Sequence, residues 1–476
     1  MKILFVASEA HPFIKTGGLG DVAYALPKAL RKLGLDVRVI IPKFLGIKEE
    51  LRQKMLTLST FNVPVGWRNQ YGGLQYLEYD GVPFYFIDNE YYFKRANAYG
   101  FQDDGERFSY FCRAVLESIN HMIDFTPDII HLNDWHTGMI VPLMKEHYKD
   151  NPRFKDIKTL FTIHNLQYQG IFPKEILGDM LSLSEDYFSD DMLKYFDGIS
   201  FMKGGLNFSD KLSTVSKTYA EEIRTSFYGE GLHGLLQMRS RDLSGIVNGI
   251  DTDIFNPKTD IELTYNYDHN DISGKYKNKL ELQEELGLTV DENIPMISMV
   301  TRLASQKGLD LVAHILEELM QMKVQLVILG TGEKKYEEAF KYYAGLVPQK
   351  LSANITFNNT LAKRIYASSD MFLMPSLFEP CGIGQLLALR YGTLPIVRET
   401  GGLKDTVKAY NEYTKEGNGF SFESYNAHDM LYTIKRAIDF YENKETWVNL
   451  VKNAMLEDNS WRKSAIEYKD LYSSII

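Results

Sequence analysis

Lys15-Thr16-Gly17-Gly18-Leu19-Gly20-Asp21-Val22 follows the first apolar run, Ile3–Ala7, and leads straight into a helical pattern. A strand, a glycine turn carrying one lysine and then a helix start make an anion cradle. The helix offers unpaired N–H groups and the positive end of its dipole. Glycine lets the backbone come close to a ligand. The spacing is neither Gly-x-Gly-x-x-Gly nor a P-loop, so standard dinucleotide and NTPase sites do not fit. A plain connecting turn is the competing reading. What recurs downstream decides between them.

Short β-branched runs bounded by turn residues recur at Ile3–Ser8, Val37–Pro42, Phe84–Asp88, Asp128–Leu132, Thr159–His164 and Leu212–Ser216. A second series follows at Met296–Thr301, Gln325–Gly330, Ile355–Phe357, Met371–Ser376 and Leu394–Arg398. Helical patterns lie between them, such as Val22, Leu26, Leu30 and Leu33, where Pro27 predicts a kink. Alternating strands and helices predict an α/β fold of doubly wound parallel sheets. Continuous apolar strands predict sheets covered on both faces. Two series in 476 residues predict two domains, 1–245 and 246–456. The final segment, 457–476, is expected to be a helix packing back on the first domain. Thr259–Lys279 reads as polar surface structure or a linker.

Composition narrows the function. The formal charge of -10 argues against nucleic acid as a partner. Two cysteines, Cys112 and Cys381, exclude a disulfide scaffold and suit a reducing cytoplasm. No apolar run approaches the roughly 20 residues of a membrane span. No Cys/His cluster has metal-ligand spacing, and Asp134 with His136 makes a poor site. The chain carries 30 Tyr and 27 Phe, which either fill the cores or stack in a sugar-binding cleft.

In open α/β sheets, ligands bind beyond the carboxyl ends of the strands. The reactive residues collect there. Lys15 and Asp21 follow the first strand. Asn133-Asp134-Trp135-His136 and His164-Asn165 end two others. Arg302 and Lys307, Glu379, and Glu399-Thr400-Gly401-Gly402 follow strands of the second series. Three cations (Lys15, Arg302 and Lys307) and two glycine turns (Gly17-Gly18 and Gly401-Gly402) suit a diphosphate held in an interdomain cleft. Glu379 precedes Pro380 and is expected in an extended turn, where it can accept hydrogen bonds from sugar hydroxyls or act as a structural cap. His164 is a ligand contact or a satisfied core histidine. Cys381 reads as a packing residue.

These motifs resemble those of bacterial glycogen synthases and plant starch synthases, retaining glycosyltransferases of the GT-B fold. The resemblance runs along nearly the whole chain. It includes the Lys15–Val22 opening, His131–His136, Thr162–Asn165, Thr214–Ser216, Asn248–Asp251, Arg302–Gly308, Pro375–Gly382 and Thr400–Leu403. Many GT-B transferases carry Glu-x7-Glu in the last region. Here Glu379 is present, but the second position is Leu387.

The resemblance implies two Rossmann-like domains facing a cleft, acceptor glucan on the first and donor nucleotide sugar on the second. It implies that Lys15, Gly17 and Gly18 contact the donor's phosphate and sugar, with Asp21 and Asn248 also in the substrate site. Arg302 and Lys307 are expected to hold the diphosphate, Glu379 the glucose hydroxyls, and His164 and Asp134 the region near the reacting carbon. Cys381, Gly382, Thr400, Gly401 and Gly402 are expected to line the donor site. Phe357 stands where the family often has tyrosine beside the adenine. The implied reaction is glucosyl transfer from ADP-glucose to the non-reducing end of an α-1,4-glucan with retention of configuration. No cofactor, essential metal, nucleic acid or membrane partner is expected. A relative using UDP-glucose and a non-catalytic glucan-binding protein are the alternatives. A glucan phosphorylase relative would need a lysine for pyridoxal phosphate, which is not identifiable here.

Overall fold

The computed structural model describes all residues, 1–476. The chain divides into two compact units, Met1–Ile246 with Trp461–Ile476, and Val247–Ser460.

The first unit is built on nine strands: β1 (Lys2–Val6), β2 (Asp36–Pro42), β3 (Leu56–Val65), β4 (Arg68–Tyr79), β5 (Val82–Asp88), β6 (Ile129–Asn133), β7 (Lys158–Ile163), β11 (Lys211–Thr214) and β12 (Leu243–Gly245). Three short strands, β8 (Ile171–Pro173), β9 (Lys194–Tyr195) and β10 (Gly198–Ser200), form a separate small sheet. The large sheet runs β12-β11-β7-β6-β1-β2-β5-β4-β3. The chain leaves β1 toward β2 on one side and later returns to pair β6 on the other, both parallel. A crevice therefore opens beyond the carboxyl ends of β1 and β6, the topological switch point.

The sheet is not wholly parallel, which corrects one expectation. β3 and β4 form an antiparallel hairpin, and β4 pairs antiparallel with β5. The hairpin strands mix exposed and buried positions, unlike β6, buried throughout, and β1, buried from Ile3 on. That is why an apolar-run search passes over them.

Gly18–Lys32 forms one helix that continues through Pro27, with Val22, Leu26, Pro27 and Leu30 buried. The C-terminal helix Trp461–Ser473 packs beside it. Its Trp461, Tyr468 and Tyr472 join a core with Phe5, Leu26 and Leu30. Tyr472 Oη bonds His131 Nδ1 at 2.7 Å, tying the helix to β6.

The second unit is a six-stranded parallel sheet, β15-β14-β13-β16-β17-β18. Its strands are β13 (Met296–Val300), β14 (Gln325–Leu329), β15 (Leu351–Asn354), β16 (Met371–Met374), β17 (Leu394–Arg398) and β18 (Phe420–Phe422). Its switch point lies between β13 and β16, which pair directly. The strand expected at Ile355–Phe357 is displaced. The chain leaves the sheet at Asn354, and Asn358 caps the helix Asn359–Ser368 by accepting from Leu361 N–H.

Thr259–Lys279 is not a linker. It enters the helix Ser273–Glu285, whose Lys275 and Lys279 are buried. Lys275 Nζ donates to Thr393 Oγ1 at 2.8 Å and to the carbonyls of Ala367 and Tyr391. Lys279 Nζ pairs with Asp370 at 2.6 Å. Their charged ends explain the polar sequence, and their partners explain the burial.

Candidate active site

In the first unit, β1 ends at Val6 and the chain turns through Ser8 and Glu9. Glu9 is buried beneath the glycine turn. Its Oε2 accepts from Thr16 N–H (2.6 Å), Thr16 Oγ1 (2.6 Å) and Tyr99 Oη (3.1 Å). Its Oε1 accepts from Gly17 N–H (3.2 Å) and Gly20 N–H (2.9 Å). The anion cradle expected from sequence is thus largely filled from within. Of residues 16–20, only Gly18 and Leu19 donate nothing to Glu9. Lys15 stays half-exposed and pairs with Asp21 at 2.8 Å. Gly20 makes room for it, because a Cβ there would press on the Lys15 side chain at 3.1 Å.

β6 and β7 bring in the next group. Asp134 sits just past β6 with φ 57° and ψ 177°, a conformation a non-glycine residue adopts at a cost. Its Oδ1 accepts from His164 N–H at 2.7 Å, just past β7, and from Asn165 N–H at 3.4 Å. Burial raises the Asp134 carboxyl to about 7, against the lowering effect of those two amides, with Glu9 adding further upward pressure. His164 Nε2 donates to Asn133 Oδ1 (2.8 Å), and burial lowers the ring to about 3. It is therefore a neutral imidazole at physiological pH. His136 is likewise lowered to about 3 by burial, stacked against Trp135 at 4.0 Å.

In the second unit, the chain after β13 makes a short 3-10 turn, Ser305–Lys307, closed by Gly308 at φ 71°. A Cβ on Gly308 would overlap the Pro375 carbonyl oxygen, so glycine is required by space as well as conformation. This close approach joins the loops after β13 and β16. Leu377 N–H donates to Gln306 O at 2.8 Å, and Gln306 Nε2 donates to Phe378 O at 3.1 Å. The joined loops set Lys307 Nζ 2.6 Å from Glu379 Oε2, which also accepts from Ser376 Oγ at 3.1 Å. Arg302 is exposed, and its guanidinium reaches Gln306 Oε1 at 3.5 Å.

Gly401 and Gly402 open the helix Gly401–Thr406 after β17. Gly401 has φ 44°, and a Cβ on it would overlap the Glu379 carbonyl oxygen. A Cβ on Gly402 would overlap that of Cys381. These glycines let the helix start press against the backbone of Glu379–Cys381, and Gly402 N–H donates to the carbonyls of Glu379 and Pro380. Thr400 is buried at the helix start. Gln385 Nε2 holds the carbonyls of Cys381 and Gly382 at 3.0 Å each. The Cys381 thiol is buried, and burial pushes it up to about 12 against the lowering effect of the Asn248 backbone. It is no nucleophile. Asn248 is buried with Oδ1 unpaired. Phe357 is 82% exposed.

Arg302, Lys307, Glu379, Cys381, Gly382, Thr400, Gly401 and Gly402 thus lie at the strand ends of the second unit. Lys15, Gly17, Gly18, Asp21, Asp134 and His164 lie at those of the first. Sequence reasoning missed Glu9 and Tyr99 as part of the site. The signal available for Glu9 was its place at the carboxyl end of β1, a few residues before the glycines.

Two doubly wound units with charged groups at their switch points define a glycosyltransferase of the GT-B class. A family model for the starch synthase catalytic domain matches residues 2–238, and one for group 1 glycosyl transferases matches 282–455. The chain is 64% identical to glycogen synthase from Clostridium acetobutylicum and 56% identical to that from Clostridioides difficile, in each case over all of both chains. The catalytic domain of starch synthase IV from Arabidopsis thaliana, bound to ADP and acarbose, is 34% identical. Its TM-score is 0.92, with 99% of each chain covered. Sucrose-phosphate synthase from Thermosynechococcus elongatus shares the fold, at TM-score 0.63 and 15% identity over 99% of this chain and 98% of that one. The chain belongs to the glycogen and starch synthase family and is a glucosyltransferase of that type.

Proposed function

We propose that the protein transfers glucose from ADP-glucose to the non-reducing end of an α-1,4-glucan, with retention of configuration. The observation that carries this reading is the Lys307–Glu379 pair beside exposed Arg302 at the switch point of the second unit. The full-length glycogen synthase relatives and the ADP and acarbose bound by starch synthase IV support a nucleotide-sugar donor and a glucan acceptor.

Breaking the bond between C1 and the β-phosphate oxygen puts positive charge on the sugar and negative charge on ADP. In this proposal Arg302 and Lys307 meet the negative charge. Glu379 holds glucose hydroxyls and keeps Lys307 in place. His164, neutral and fixed by Asn133, donates or accepts a hydrogen bond without changing charge. The acceptor 4-hydroxyl attacks C1 from the face ADP leaves, and its proton passes to the departing phosphate oxygen. Phe357 stands at the adenine and Lys15, Gly17 and Gly18 at the phosphates and sugar, with Asp21 and Asn248 also in the substrate site. Cys112 and Cys381 are both free and buried, which suits a reducing cytoplasm. No helix is long and apolar enough to cross a membrane.

Release of the matching nucleoside diphosphate, ADP from ADP-glucose and UDP from UDP-glucose, each with and without glycogen, tests the proposal. ADP-glucose with glycogen is expected to give the highest kcat/KM, unchanged by EDTA because two cations serve the leaving group. A higher kcat/KM for UDP-glucose would overturn the donor assignment. Turnover lost in EDTA and restored by a divalent metal would overturn the metal-free reading.

A further inference from the structure

We infer that Glu9 is a positioning residue, an internal anion that locks the Thr16–Gly20 turn and thereby fixes where Lys15 presents its ammonium group. The inference rests on the proposed donor role of Lys15. It goes further by explaining how a lysine on a glycine-rich turn acquires a defined place.

A turn with glycine at positions 17, 18 and 20 has little conformational preference of its own. Left alone it would sample many shapes, and ordering it on donor binding would cost entropy. The Glu9 carboxylate removes that freedom by accepting five hydrogen bonds. Four come from the turn itself: Thr16 N–H, Thr16 Oγ1, Gly17 N–H and Gly20 N–H. They reach both sides of the two residues, Gly18 and Leu19, that begin the helix. The fifth comes from Tyr99 Oη, which also bonds Ser8 Oγ at 3.0 Å. Tyr99 in turn lies against the His136 ring at 4.5 Å, so the anchor continues into the segment after β6. His11 N–H donates to Gly20 O at 2.9 Å and closes the loop from the other side. The Lys15 stem lies over Gly20.

No cation is paired with Glu9. Its negative charge is balanced by backbone and hydroxyl donors alone. A neutral glutamine would turn an NH2 group toward amide donors, so at least one side of the turn would lose its acceptor.

The test is Glu9→Gln, alone and combined with Lys15→Ala, with Tyr99→Phe as a milder variant that removes one bond of five. Hydrogen exchange at Thr16, Gly17 and Gly20 is read on the free protein, and ADP release is read with ADP-glucose and glycogen. Glu9→Gln is expected to speed exchange at those amides and to lower kcat/KM for ADP-glucose by about 10- to 100-fold, the scale of a lost charged hydrogen bond. KM for glycogen should stay within about twofold. In the Lys15→Ala background the same change should cost less than about threefold, since Glu9 acts through Lys15. Tyr99→Phe should show the same pattern at smaller size. Unchanged exchange in Glu9→Gln overturns the lock. Faster exchange with unchanged kcat/KM, or full additivity with Lys15→Ala, overturns the positioning role. A wild-type protein that fails to turn over ADP-glucose overturns the proposed reaction instead, and the exchange result still decides the lock.

Discussion

The two units treat their buried carboxylates differently. At the edge of the first, Glu9 and Asp134 are held by backbone amides, with no lysine or arginine paired to either. At the edge of the second, Glu379 is held by the ammonium of Lys307 at 2.6 Å, and Arg302 stands exposed nearby in sequence. Amide dipoles fix a carboxylate in place but leave its charge uncancelled. An ammonium group cancels it. The first edge therefore holds two buried carboxylates with no cation on either, whereas the second pairs its carboxylate with one.

The largest effect expected of this contrast is on stability. Asp134 in the unfolded chain titrates near 3.8, and in the folded protein at about 7. Between those values the native state binds more protons than the unfolded one, so stability falls as pH rises through the window and the loss is complete above about 7. The span corresponds to about 4 kcal/mol. Asp134→Asn keeps an oxygen for His164 N–H but has nothing to ionise. Denaturant melts should show the variant close to wild type near pH 4 and more stable than it by that amount at pH 8. A difference that does not change with pH would break the contrast, because it would mean that the Asp134 charge is compensated after all.

Lys307→Ala comes next. It removes the cation proposed to meet the leaving group and leaves Glu379 with the Ser376 hydroxyl. Steady-state ADP release should lose at least about 100-fold in kcat, the scale of one missing transition-state contact. A near-wild-type kcat would show that the second edge does not carry the negative charge.

Much of this arrangement was legible in the chain. Buried parallel strands such as β16, and β1 from Ile3 on, are continuous apolar runs, and reactive residues shortly after them can be placed at a sheet edge without any structure. The β3–β4 hairpin was not legible, because an amphipathic strand of mixed exposure dilutes the apolar signal. Lys275 and Lys279 look like surface residues until Thr393 and Asp370, more than 90 positions away, supply partners. Glu9 escaped for a related reason. Its role comes from several backbone amides converging on one carboxylate, and the side chain carries no mark of that in sequence. The glycine turn was recognised as an anion site, while the anion that fills much of it belongs to the chain itself.

The smallest effect lies at Phe357, which is 82% exposed on the loop after β15. If its ring stacks on the adenine, Phe357→Tyr adds only a hydroxyl at the rim of the nucleotide. One new neutral hydrogen bond contributes about 0.5–1.5 kcal/mol. KM for ADP-glucose should therefore fall by no more than about tenfold, with kcat unchanged, because a base contact is made equally in ground and transition states. A change in kcat at constant KM would move Phe357 from base recognition into the charge-handling part of the second edge. The contrast between the units would then need a third contributor besides Arg302 and Lys307.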